Sequence, residues 1–233
     1  MKIAGLQKVS TIDYPGQICC VVFLWGCNFR CGFCYNPGLV VSDESQIFSE
    51  KEVLKFLSKR VGKLDAVCIS GGEPLMSLDF DFVRRIKEMG FKIKIDTNGS
   101  FPDRLLELVS ERLVDYIAMD VKGAREDYEK IVGVDVDLSA IEKSMKIVSD
   151  FKNSEFRNTV VPGLHSEKKL IRMSEWMGRV CERKPRRIFL QGFKLGKDMI
   201  DPSFMGKNEI LEGELLKLGS SLDGLFGEVG VRV

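Results

Sequence analysis

The chain has 233 residues, 44% apolar and 30% charged, enough for one well-buried domain over residues 1–233 and short for two. Its net charge of +1 comes from interspersed acids and bases, so no single-sign field points to nucleic acid or a membrane surface, and Lys184-Pro-Arg-Arg187 reads as a solvated basic loop. The longest apolar run, Ile18 to Trp25, is far below the ~20 residues of a membrane span, and no short apolar leader opens the chain. Seven cysteines, three of them clustered, fit a reducing compartment, so a cytoplasmic protein is expected.

Ile3 to Val9 alternates weakly, as a short strand does, and the turn-rich Ser10-Thr-Ile-Asp-Tyr-Pro-Gly16 follows. The β-branched run Ile18 to Leu24 is the first central strand. It leads directly into Trp25-Gly-Cys-Asn-Phe-Arg-Cys-Gly-Phe-Cys-Tyr35, which sets Cys27, Cys31 and Cys34 in a loop where the strand ends. Pro37-Gly38 breaks the chain. Ser49-x-x-Glu52 is a capping box, with Val53, Leu54, Phe56, Leu57 and Val61 as the helical stripe behind it.

A strand, polar turn and helix then recur. Ala66–Ser70 leads to Gly71-Gly72-Glu73-Pro74 and a helix from Leu78 to Met89; Phe91–Ile95 leads to Asp96-Thr97-Asn98-Gly99 and a helix from Pro102 to Ser110. Val114–Met119 leads to Asp120-Val-Lys122-Gly123 and, after a charged stretch, to a second capping box, Ser139-x-x-Glu142, opening a helix to Ser149. Glu155–Val161 precedes Pro162-Gly163 and a helix from Ser166 to Glu182. Arg187–Leu190 precedes Gln191-Gly192, a Gly- and Lys-rich loop and a helix from Asn208 to Leu218, and Glu228–Val233 is a last short strand.

Strands alternating with helices imply a parallel sheet of right-handed βαβ units in an α/β fold. Every glycine-bearing turn follows a strand rather than preceding one, which favours a (β/α) barrel with its site on one face over a doubly wound open sheet. Six units are clear, so the barrel is expected to be partial and open at one side.

Three clustered cysteines without a fourth suggest an iron–sulfur cube with one corner open; part of a zinc ribbon or an accidental group of buried cysteines are the other readings. Cys19, Cys20, Cys68 and Cys181 fall within strands or helices and read as small core residues. The Cys-x3-Cys-x-aromatic-Cys loop, with Phe33 as the aromatic, resembles the hallmark of the radical S-adenosylmethionine (SAM) superfamily. The resemblance implies a partial (β/α)6 barrel over nearly the whole chain. It also implies a [4Fe-4S] cluster on Cys27, Cys31 and Cys34 whose fourth iron is chelated by SAM. A low-potential donor such as flavodoxin or ferredoxin would reduce the cluster, and the SAM sulfonium would then split to a 5′-deoxyadenosyl radical that abstracts hydrogen.

Within that likeness, Gly71, Gly72 and Glu73 are similar to the superfamily's Gly-Gly-Glu turn, which implies that Glu73 meets the SAM amino group; read alone, the turn is an ordinary one with an exposed glutamate. Asp96, Thr97 and Asn98, with Asp120 and Lys122, resemble two turns of the glycyl-radical-enzyme activases and imply polar contacts to SAM, Lys122 near its carboxylate. Asp-led turns also occur merely to bond their own backbone. Arg157 matches an arginine before Val-Val-Pro-Gly in those activases and would take the carboxylate through its fork of donors; an exposed strand position is the other reading. Gln191 stands where some activases carry histidine. Asp96 and Asp120 would bring excess negative charge to the SAM site with only Lys122 against it, so a monovalent cation is expected among Asp96, Thr97 and Asp120.

His165 is the only histidine and reads as an exposed loop residue, which leaves no histidine-based acid–base machinery; the reactivity has to come from a cofactor. Thr11-Ile-Asp-Tyr-Pro-Gly16 and Cys34-Tyr-Asn36-Pro resemble the activating proteins of anaerobic ribonucleoside-triphosphate reductase, implying a glycyl radical enzyme as protein substrate. The only room for a ferredoxin-like insert is Val41 to Ser49, so a single cluster is expected. Two alternatives stand beside this one: a small-molecule enzyme akin to the 7-carboxy-7-deazaguanine synthases, and a non-catalytic iron–sulfur or zinc module.

Overall fold

A computed structural model describes residues 1–41 and 48–232, and most of the 41–49 segment considered for an insert lies outside the described residues. The chain divides into two compact units. The first comprises Met1–Asn28, Gly38–Thr97 and Asp103–Ile117; the second comprises Phe29–Pro37, Asn98–Pro102 and Ala118–Val233.

The first unit holds strands β1 (Ile3–Ser10) and β2 (Cys19–Leu24), helices α1 (Gly38–Val41) and α2 (Glu50–Ser58), strand β3 (Ala66–Gly71), α3 (Phe80–Glu88), β4 (Lys92–Thr97) and most of α4 (Pro102–Ser110). β1 pairs antiparallel with β2, whereas β2, β3 and β4 run parallel, with Cys19 opposite Ala66 and Ala66 opposite Lys92. β2 and β3 are apolar on both faces, as parallel strands covered by helices must be. Ser49 caps α2 with both bonds of the capping box, and Val53 and Leu57 turn inward, but the helix ends before Val61, which is exposed. Tyr14 tucks its ring against Tyr116 with centroids 5.5 Å apart and shares a core cluster with Cys19, Val21, Ala66 and Cys68. Burial raises the thiols of Cys19, to about 11, and Cys20, to about 12, so both stay protonated core residues.

Strand β5 (Tyr116–Asp120) carries the chain into the second unit, which continues through α5 (Tyr128–Val132), α6 (Leu138–Asp150), β6 (Ser154–Val160), α7 (Glu167–Cys181), β7 (Arg187–Gly192), α8 (Glu212–Ser220) and β8 (Glu228–Arg232). β6, β7 and β8 are parallel, with Arg157 opposite Phe189 and Gln191 opposite Arg232. Ile141, Met145 and Val148 of α6 and Leu170, Met173, Trp176 and Met177 of α7 are buried, each side chain stabilising the fold by about 1.5–3 kcal/mol. Two features differ from the expectation. The cap of α6 is Asp137, whose carboxylate accepts from Ser139 N and Ala140 N, so Ser139 lies inside the helix and is no N-cap. The charged stretch after Gly123 contains α5, whose Tyr128 is fully buried and stands edge-on to Trp176.

Candidate active site

The three cysteines divide between the units, Cys27 in the first and Cys31 and Cys34 in the second. None of the seven cysteines, all of them among the described residues, is in a disulfide. In the first unit the backbone leaving β2 is clamped to the Gly-Gly-Glu turn: Gly72 N donates to Leu24 O at 3.0 Å and Glu73 N to Gly26 O at 2.8 Å. A Cβ on Gly72 would lie 1.9 Å from Gly26 O and 3.1 Å from Cys27 N, and one on Gly71 (φ +125°) 2.4 Å from both Leu24 N and Leu24 O. The glycines therefore let the turn lie against the residue before the first cysteine.

Glu73 is fully buried rather than exposed. Its Oε1 accepts from Leu75 N at 3.0 Å and from Thr97 Oγ1 at 2.9 Å, so Thr97 orients this carboxylate. Asp96 accepts from Ser70 Oγ at 3.1 Å on one oxygen and is ion-paired on the other with Lys94, a lysine only 2% exposed in the middle of β4. Asn98, in the second unit, is buried, and its Oδ1 accepts from Ser100 N at 2.9 Å, the local turn bond open to an asparagine there.

In the second unit the loop is held from two sides. Phe29 stands edge-on to Tyr128, and Arg30 N donates to Val132 O at 2.8 Å; Gly133 (φ +74°) ends α5 where a Cβ would lie 2.6 Å from Arg30 O. On the other side Asp201 N donates to Gly32 O at 3.0 Å, and Phe33, the aromatic of the motif, packs with its centroid 6.1 Å from that of Phe204. Cys34 N closes a turn onto Cys31 O at 3.0 Å. Cys31 is buried and Cys34 half-buried.

Asp120, at the end of β5, accepts from Lys122 Nζ at 3.0 Å on one oxygen and from Arg157 Nε at 2.8 Å on the other. Burial works against the Asp120 charge, but Arg157 and then Lys122 outweigh it and hold the carboxyl well below the usual carboxylate range. Burial likewise opposes the Lys122 charge, and Asp120 and the nearby Cys31 thiol more than offset it, raising the ammonium above the ordinary lysine range. Asp120 holds two cations, and Cys31 lies near Lys122. Arg157 is thus not an exposed strand arginine. Gln191, half-buried at the end of β7, lies opposite Arg232 and Thr159 in the register.

Within the first unit Lys94 pairs with Asp96 and Thr97 bonds to Glu73; within the second Lys122 and Arg157 pair with Asp120. His165 also departs from expectation. It is buried, its Nδ1 accepts from Val161 N at 3.0 Å, and its Nε2 lies 2.8 Å from Lys122 O.

A family model described as the radical SAM superfamily matches residues 21–173. The chain belongs to the radical SAM superfamily. Its relatives narrow the group. The chain is 32% identical over 99% of its length, and 95% of the relative's, to MJ1227 of Methanocaldococcus jannaschii, which is provisionally named a glycyl-radical enzyme activating enzyme. It is 29% identical over 73% of both chains to the pyruvate formate-lyase-activating enzyme of Clostridium pasteurianum. Among solved structures, Streptococcus suis SuiB bound to S-adenosylmethionine superposes with a TM-score of 0.68 at 14% identity over 91% of this chain, which spans about half of SuiB (52%). A domain of the pyruvate formate-lyase-activating enzyme of Bacteroides vulgatus does so with a TM-score of 0.55 at 19% identity, over 71% of this chain and 98% of that one.

These likenesses give the chain the α/β fold of the radical SAM enzymes, and it is an activating oxidoreductase of the glycyl-radical type. Its cofactors are a [4Fe-4S] cluster and SAM. The donor chemistry fits. Three thiols suit iron–sulfur corners, and the cationic group beside Cys31 suits an anionic cluster or a carboxylate. Among the described residues no three His, Cys, Asp or Glu side chains gather as for a single ion. A cubane asks for something different, one thiolate at each of three separate irons.

Sequence reasoning missed Lys94, Tyr128, Gly133 and Phe204. Signals existed for some: Lys94 alternates with Lys92 and Asp96 around Ile93 and Ile95, placing a charge inside a covered strand, and Asp201-Pro202 is a helix-start pair that brings Phe204 over the loop.

Proposed function

We propose that the chain abstracts a hydrogen atom from a glycine Cα of a partner enzyme, anaerobic ribonucleoside-triphosphate reductase, leaving a stored glycyl radical in the partner. When bound, the reduced cluster and SAM supply the carbon-centred radical that does this. The chain's own residues bind, orient and shield. Cys27, Cys31 and Cys34 hold three irons. Gly71 and Gly72 let the backbone lie close, and Glu73, oriented by Thr97, receives the SAM amino group. Lys122 and Arg157 take the SAM carboxylate, while Phe33, Asp96, Asn98 and Gln191 line the remainder of the cofactor site.

The observation that carries this reading is the Lys122–Asp120–Arg157 group beside Cys31, because two cationic donors held in place next to a cluster thiol are what an α-amino acid carboxylate chelating iron needs. Preference for the reductase over other glycyl radical enzymes rests on Thr11–Gly16, in which Tyr14 is buried and Ile12 is 86% exposed. Reduction by flavodoxin or ferredoxin in the cytoplasm, within a single domain over residues 1–233, completes the reading.

The test is anaerobic. Reduced protein, SAM and the reductase are mixed and examined by EPR. A glycine-centred doublet is expected, and SAM cleavage with turnover of a pterin and no doublet would transfer the chain to the small-molecule enzymes.

A further inference from the structure

His165 lies outside every role assigned above, yet its ring is buried at the turn that carries Lys122. We propose that His165 is a positioning residue: as a neutral imidazole it donates Nε2–H to the carbonyl of Lys122 and so fixes the direction in which the Lys122 ammonium is presented. The proposal rests on the reading of Lys122 as a SAM ligand only for its functional consequence.

Both partners of the ring have fixed roles. The Lys122 carbonyl can only accept and the Val161 amide can only donate, so with contacts of 2.8 Å and 3.0 Å the proton must sit on Nε2 and Nδ1 must be bare. The turn is tied at each successive peptide group. Val121 N donates to Arg157 O at 2.8 Å, Val121 O accepts from Asn158 Nδ2 at 2.7 Å, Lys122 N donates to Tyr128 Oη at 3.5 Å, and Lys122 O accepts from His165. With all four anchored, the lysine keeps only its side-chain torsions. Gly123 completes the fit, since a Cβ there would meet Ile131 Cδ1 at 2.3 Å and stand 3.7 Å from His165 Nε2.

Acid should undo this. Protonation would set an Nδ1–H against the Val161 N–H, two donors facing each other. The charged groups around the ring are Lys169 of α7 and Asp127 before α5, paired at 3.0 Å, the Lys122 and Asp120 charges of the turn, and Lys207, whose Nζ donates to Pro162 O at 3.4 Å. Burial, with a smaller push from Lys169, disfavours the imidazolium and outweighs the backbone bonds to Lys122 and Val161 and the pull of Asp127, so the ring titrates below the usual histidine range.

The single histidine makes the first test direct. Long-range 1H–15N spectra of the full-length protein should show an Nε2–H tautomer with a midpoint below about 6.5. An Nδ1–H tautomer or an ordinary midpoint overturns the proposal. The second test uses H165Q, whose amide reaches the place of Nε2, and H165N, which keeps only an acceptor at the place of Nδ1. Hydrogen exchange over residues 121–124 and SAM affinity by anaerobic equilibrium dialysis are read for both. H165N should exchange faster and bind SAM about 10-fold more weakly, the loss of one buried hydrogen bond, with H165Q close to the parent and no longer weakened by acid. Unchanged exchange in H165N, or equal weakening in both variants together with an equal fall in Tm, overturns the positioning role. Faster exchange at unchanged SAM affinity upholds it and overturns the reading of Lys122 as a SAM ligand.

Discussion

Arg157 Nε meets Asp120 Oδ1 at 2.8 Å, joining the middle of β6 to the last residue of β5. Because Lys122 occupies the other oxygen, the carboxylate holds two cations in place.

Asp120→Asn removes the anion between them and should free Lys122 and Arg157 to repel each other. Breaking a largely buried pair costs about 3–5 kcal/mol, which the partial exposure of Asp120 reduces to about 2. Urea unfolding is the measurement, with weaker SAM binding expected alongside.

The same pair gives a pH dependence. The Asp120 carboxyl is depressed in the folded chain, so its contribution is fully present above the unfolded value of about 3.9 and is lost as pH falls through the folded one. His165 is also depressed, and its contribution is lost as pH falls from about 6.5 towards its folded value. The stability gap between the parent and D120N should therefore stay level from about pH 5 to 8 and close in stronger acid.

Gly72→Ala should be severe, since the new Cβ would lie 1.9 Å from the Gly26 carbonyl oxygen, a backbone atom that cannot swing aside. A loss of about 3 kcal/mol is expected, with iron content falling because Cys27 follows Gly26. Gly213→Ala, which meets nothing within 4 Å and lies in α8, is the control and should leave iron content unchanged and stability unchanged or up to about 1 kcal/mol higher.

Lys94→Met strands Asp96 without its buried cation and should destabilise by about 3–5 kcal/mol, while K94M/D96N should recover most of it. A double-mutant cycle by denaturant unfolding measures the coupling. An equal loss in the double variant would mean the pair is not the reason Lys94 is tolerated inside the strand.

Much of the α/β pattern is legible in the sequence because strands covered on both faces are uninterrupted apolar runs, as Cys19–Leu24 and Ala66–Ile69 are. The cysteine loop is legible because its chemistry resides in spacing. What charges pair with is not. Arg157 and Asp120 are 37 residues apart and Glu73 and Thr97 are 24 apart, so tertiary packing alone brings them together, whereas Lys94 lies two residues before Asp96 on the same strand. The histidine was misjudged for the same reason. A loop position reads as exposed unless the turn it bonds, here Lys122 at 43 residues' distance, is known. At the α6 start two candidate caps, Asp137 and Ser139, lie two residues apart, and the earlier one, which bonds both Ser139 N and Ala140 N, begins the helix.

Cluster ligation tests the account most directly. After anaerobic reconstitution and reduction, the protein should hold about four irons, and SAM labelled with 17O in its carboxylate should give hyperfine coupling to the cluster, because one iron has no cysteine. That coupling, lost with the iron in Cys31→Ala, is the predicted result. A reduced centre with no coupling and every iron already bound by side chains would contradict the account.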